Sequence, residues 1–143
     1  ANKKIFIQRI SGGDNPLVCA IDENKLLGFA STNILLLHEE FEKMYSYELI
    51  SSIINSKLIN YFYSKSFSNS SDLTVNISTS YLEEIPIPKI NKQNLSIIKK
   101  IEKEYKETIL KKNDYETEKL DNMIFDLYNI TKDEVKRIMH PKD

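Results

Sequence analysis

No glycine or proline interrupts the chain between Lys89 and Met139, whereas all three glycines, Gly12, Gly13 and Gly28, fall before residue 30. Glycine serves turns, and proline removes a helix's backbone donor, so this distribution separates a turn-rich front from a helix-permissive back. In the back, Ile98, Ile101, Tyr105 and Ile109 recur at helical spacing, and Leu120, Met123, Ile124 and Leu127 form a second stripe. The spacing predicts either a single arm from about Leu95 to Tyr128, roughly 50 Å long at 1.5 Å per residue, or two helices meeting near Asn113-Asp114, with the second preferred. Asn129 suits a left-handed helix end. Thr131-Lys132-Asp133-Glu134 reads as a capping box that opens a short terminal helix.

The front follows a different period. Lys4 to Ile10 is β-branched and aromatic and ends in the turn cluster Ser11 to Pro16. Leu17 to Ile21, Leu26 to Ala30 and Asn33 to Leu37 read as further strands of an antiparallel meander. From Ser46, a plausible N-cap, the residues Ile50, Ile53, Ile54, Leu58, Tyr61 and Phe62 predict one amphipathic helix of about four turns. Ser64 to Asp72 reads as a surface loop and Leu73 to Ser78 as a strand, while Pro86 and Pro88 force an extended exit. The expected fold is α+β: a small, mainly antiparallel sheet with a packed amphipathic helix, followed by a C-terminal helical arm. The boundary falls near residue 90, giving an α/β region over 1–90 and the arm over 91–143.

Composition narrows the function classes. At 143 residues, 41% hydrophobic and 29% charged, the chain is expected to be a soluble globular fold, either one domain or a compact domain plus a helical arm. Its formal charge of -1 argues against a polybasic binder. That average conceals a basic stretch, Lys89 to Lys112, with eight lysines against three glutamates, and an acidic one, Asp114 to Asp143, with eight acids against five bases. Cys19 is the only cysteine, so no internal disulfide or cysteine-cluster metal site can form. No apolar run reaches the roughly 18 residues that span a bilayer, and the expected location is cytoplasmic. Phosphate-binding glycine loops, a nucleophile elbow and metal-spaced histidines are all missing, so no catalytic or metal residue is assigned.

Leu49 to Tyr63, with Ile54-Asn55-Ser56-Lys57-Leu58 at its centre, resembles the helix of the TaqI-like C-terminal specificity domain, the target-recognition part of DNA adenine methyltransferases and restriction-modification enzymes. Val75 to Pro88 is similar to that family's Pro-Ile-Pro exit, Lys4 to Ile10 to its opening strand, and Leu120 to Val135 to its closing segment, where Asn129 replaces the usual glycine. The resemblance implies sequence-specific recognition of double-stranded DNA. It also implies chemistry housed elsewhere, because the methyltransferase motif Asn-Pro-Pro-Tyr is absent. The chain is therefore expected to be a non-catalytic recognition fragment. The parent would be an adenine-specific methyltransferase with or without endonuclease activity, whose missing catalytic domain uses S-adenosylmethionine.

Base readout needs polar side chains on loops and strand ends held by a rigid scaffold. The candidates are Gln8, Arg9 and Ser11 at the first hairpin, Ser31, Thr32 and Asn33 in the sheet, Lys65, Ser68, Asn69 and Ser70 after the first helix, and Thr79 and Ser80 before the exit. Asn55 and Ser56 are expected to be structural, bonding neighbouring backbone. The expected partners are double-stranded DNA, the methyltransferase or nuclease part of the same enzyme, and a second copy through the helical arm. The alternative from another class is a protein-interaction or dimerisation module in which that arm is the functional part.

Overall fold

Ser46 starts the first long helix as its spacing suggests: its backbone is extended and its Oγ accepts from the Leu49 N–H at 3.0 Å. In the computed structural model, residues 4–8, 10–11, 19–22, 32–35, 39–67, 75–76, 84–110 and 118–140 are described. The strands are β1 (Lys4–Gln8), β2 (Ile10–Ser11), β3 (Cys19–Asp22), β4 (Thr32–Leu35) and β5 (Val75–Asn76). The helices are α1 (Glu39–Glu42), α2 (Tyr47–Asn55), α3 (Lys57–Phe67), α4 (Leu95–Tyr105), α5 (Glu118–Leu127) and α6 (Lys132–Met139). α4 runs on into a π-helical turn, Lys106–Leu110.

The described residues are mostly helical, and this overturns the expected sheet-based α+β fold with a trailing arm. The reason lies in where the apolar area is buried. Ile5 is the one strand residue in the described core, with Ile21 packed partly against it. The rest of the core is supplied by α2, α3, α4 and α5 and by Tyr45 and Ile85 beside them. The strands are short and do not follow a meander. β1 lies in the middle of the order β3-β1-β4, antiparallel to both, and β2 pairs separately with β5.

α2 is not a surface helix with one apolar stripe. Eight consecutive residues, Tyr47 to Ile54, are buried, because α2 packs on β1 and β3 and also on α4 and α5. Burial on all sides demands that its polar groups be satisfied. The Ser51 hydroxyl bonds the Tyr105 hydroxyl of α4 at 2.8 Å, and the Ser52 hydroxyl donates to the Glu48 carbonyl at 2.8 Å. Small serines on this helix let α4 approach closely.

The expected arm is a pair of helices folded into the core. α4 and α5 pack together, and Lys119 Nζ lies 3.3 Å from Glu104 Oε1. In one straight helix those residues would stand about 22 Å apart at 1.5 Å per residue, so the chain must turn between them. Ile98, Ile101 and Tyr105 from the first stripe are buried with Leu120, Ile124 and Leu127 from the second. The apolar surface that the sequence offered to a second copy is thus used internally. Asn129 holds φ 56° at the end of α5, and Thr131 and Glu134 form the reciprocal capping box of α6.

Two outcomes follow. Ile124→Ala should lower the free energy of unfolding by about 2–5 kcal/mol in urea titration, whereas Leu95→Ala, 44% exposed, should shift it by under about 0.5 kcal/mol. Acid should loosen α6 first. The Thr131 backbone N–H and hydroxyl that bond the Glu134 carboxyl hold it below the usual glutamate range. A depressed folded pKa gives stability that is present above the unfolded value, 4.5, and is lost as pH falls through the folded one. Amide protection factors across α6, corrected for the intrinsic pH dependence of exchange, should therefore fall as pH drops through that range, and Glu134→Gln should weaken this fall.

Candidate nucleic-acid interface

The end of the three-stranded sheet brings some of the predicted readers together. In the β1–β4 register Gln8 stands opposite Thr32 and Ile7 opposite Asn33. Two residues beyond Gln8, β2 places Ser11 opposite Val75 of β5. Gln8, Ser11, Thr32 and Asn33 thus share one end of the strand assembly. Arg9, Ser31, Ser68, Asn69, Ser70, Thr79 and Ser80 lie outside the described residues.

Lys65 sits apart from these, exposed in the last turn of α3, with its ammonium 5.5 Å from the Tyr61 ring centre. The expected loop at Ser64 begins later, because α3 continues to Phe67. Phe67 and Val75 are eight residues apart, so the end of α3 lies within about 28 Å of the β2–β5 ladder.

The orientation of α3 depends on a break that helical periodicity hides. Ser56 is extended (φ -67°, ψ 154°) and divides the single expected helix into α2 and α3. Its hydroxyl donates to the Ile53 carbonyl at 2.7 Å and accepts from the Ile59 N–H at 3.1 Å, ending one helix and capping the next. Asn60 Nδ2 donates to the carbonyls of Ser56 (2.8 Å) and Ile54 (3.3 Å). The first N–H of α3, from Lys57, goes to Asp121 Oδ1 of α5 at 2.9 Å. Asp121 is 4% exposed, and its carboxylate meets the positive end of the α3 dipole. The structural role expected of Ser56 therefore holds, but at a junction and not within a helix.

The break changes which residues of α3 face inward. Ile59, Asn60 and Tyr63 are buried, whereas Phe62 is 40% exposed and Leu58 and Tyr61 are half-buried. The stripe members Leu58, Tyr61 and Phe62 instead line a groove of about 340 Å³ between α3 and α6, with Lys65 and Arg137 also on its walls. Arg137 was not among the sequence candidates. Its scarcity was the available signal, since Arg9 and Arg137 are the chain's two arginines.

The exit after residue 84 is clamped from two directions. Proline carbonyls keep full acceptor strength, and here the Tyr45 hydroxyl donates to the Pro88 carbonyl at 3.1 Å while the Tyr128 hydroxyl donates to that of Pro86. Burial raises the Tyr128 phenol pKa well above its ordinary value, so it stays a donor at any working pH. Among the described residues no group of three His, Cys, Asp or Glu side chains could hold a metal ion, and no helix is long and apolar enough to cross a membrane.

Asp121→Ala should destabilise the protein by about 1–3 kcal/mol, because the Lys57 donor loses its buried acceptor. Hydrogen exchange should speed up first at the amides of Lys57 to Asn60, ahead of those of α2.

No curated protein matches the chain at a significant level. The model of the TaqI-like C-terminal specificity domain matches residues 1–87, a span that takes in the strands, the α2–Ser56–α3 junction and the chain as far as Ile87. More than half of the chain is matched, and the Ser56 junction that carries the motif is the device that sets α3, so the chain belongs to the TaqI-like C-terminal specificity domain family.

Proposed function

We propose that this domain binds double-stranded DNA in a sequence-specific manner as the target-recognition part of a restriction-modification enzyme or an adenine-specific DNA methyltransferase. The observation that carries this reading is the specificity-domain match over residues 1–87. The gathering of Gln8, Ser11, Thr32 and Asn33 at one sheet end supports it, since amide and hydroxyl groups on strand ends suit hydrogen bonding to base edges. Arg9 adds a donor suited to guanine, and Lys65 a phosphate contact. Ser31, Ser68, Asn69, Ser70, Thr79 and Ser80 complete the proposed contact set from the neighbouring segments.

Methyl transfer and S-adenosylmethionine belong in this reading to a catalytic part carrying the Asn-Pro-Pro-Tyr motif, which this chain does not contain. That part would extrude the target adenine from the duplex while the present domain fixes the register. Association through the helical stripes is the weaker alternative, because Ile98, Ile101, Tyr105, Leu120 and Ile124 are already buried against the chain's own helices.

The test is binding of the whole chain to a pool of randomised duplexes, followed by anisotropy titration over a range of salt. A defined sequence should be enriched, and affinity should fall linearly on a log–log salt plot. The Arg9→Ala/Lys65→Ala variant should bind more weakly and flatten the slope by about one for each phosphate contact removed, with its thermal unfolding unchanged. Unaltered affinity and slope in that variant would sink the site assignment.

A further inference from the structure

α6 buries nothing of its own: none of its residues falls in the buried class, although Val135, Ile138 and Met139 give it an apolar side. Against α3 that side leaves the groove of about 340 Å³ described above, floored by Leu58, Tyr61 and Phe62. The groove's mouth is cationic. Lys65 stands on the α3 wall and Arg137 on the α6 wall. Glu134 is the one acid on the lining; its carboxylate accepts the Thr131 N–H at 2.9 Å and also feels the positive charge of Arg137, so the lining carries two cations against one anion.

We infer that the α3–α6 groove seats one sugar-phosphate strand of the DNA duplex, with Lys65 and Arg137 contacting phosphates and Phe62 packing against a deoxyribose between them. This rests on the DNA-recognition reading and extends the contact surface beyond the matched residues 1–87 to the C-terminal helix. Three observations single out this occupant. Lys65 lies on the groove lining and is also one of the residues proposed above to contact phosphate. The pairing of cations with a partly exposed aromatic ring fits an amphipathic polyanion better than a purely apolar peptide. Arg137 is one of two arginines in a chain that otherwise uses lysine, and guanidinium geometry suits phosphate oxygens.

The experiment compares the full-length chain with Arg137→Ala, Arg137→Lys and Phe62→Ala on a mixed-sequence duplex by anisotropy over a salt series, alongside sedimentation velocity. Since α6 has no buried residues, Arg137→Ala should keep the wild-type unfolding temperature. It should bind about tenfold more weakly, the loss of one charge-assisted bond, with a salt slope lower by about one. Arg137→Lys should keep the slope, and Phe62→Ala should weaken binding at unchanged slope. If Arg137→Ala and Phe62→Ala bind like wild type while Arg9→Ala/Lys65→Ala does not, the groove inference is wrong and the recognition reading stands. If Phe62→Ala abolishes self-association without touching DNA affinity, the groove seats a second copy and the inference fails. If the wild-type chain binds no duplex at any salt, the recognition reading fails, and the inference with it.

Discussion

A buried carboxylate on the first amide of a helix decides the working surface of this domain. Asp121 of α5 accepts from the Lys57 N–H immediately after the Ser56 break. Without that acceptor the opening turn of α3 would present orphan donors to the protein interior, at a cost comparable to the stability a small domain can spare. With it, α3 departs from α2 in a fixed direction, turns Ile59 and Tyr63 inward, and leaves Phe62 and Lys65 facing outward. The bond spans 64 residues in sequence, so the C-terminal helices position a face that belongs to the matched front region.

The same dependence runs through α2. A helix buried over eight consecutive residues can serve as a hub only if its neighbours supply partners for Ser51 and Ser52, and α4 and the helix itself do so. Sheet, α2 and the α4–α5 pair therefore share one core, in which loss of a contact on α5 is felt at the strands. The two tyrosine hydroxyls that hold the Pro86 and Pro88 carbonyls close this arrangement by fixing where the chain leaves the front region. Rigidity of this kind is what base readout needs, because a hydrogen bond to a base edge discriminates only if its donor is held in place.

Local chemistry was legible in the sequence, and tertiary chemistry was not. Ser46, Asn129 and the Thr131–Glu134 box act within a few residues of themselves, so their types and spacing sufficed. The Ser56 break was hidden because a one-residue interruption leaves the apolar spacing almost intact. Leu58, Tyr61 and Phe62 continued a stripe on paper, but the folded chain leaves Leu58 and Tyr61 half-buried and Phe62 exposed. The strands β1 and β3 overlap segments read as extended, but alternation says nothing of how much core a strand will carry, and here helices carry it. Strand order was equally out of reach: pairing of β1 with both β3 and β4 is set by which edges meet, not by any pattern along one strand. For the site, residue chemistry could nominate Gln8 and Thr32 separately, while only the register shows that they face each other.

The near-neutral charge acquires a physical meaning in this setting. Non-specific affinity for DNA scales with the number of phosphates neutralised, and a formal charge of -1 supplies no general attraction beyond what locally placed cations give. For any recognition domain, weak attachment to random sequence lowers the background against which a correct site must compete. The chain's cations then matter through placement and not through net charge. Glu104 takes Lys119, whereas Lys65 stands exposed at the end of a helix whose direction is fixed by a buried bond. A recognition module gains from a rigid frame of this kind, because a charge or donor held in one place acts on one position of a partner and not on many.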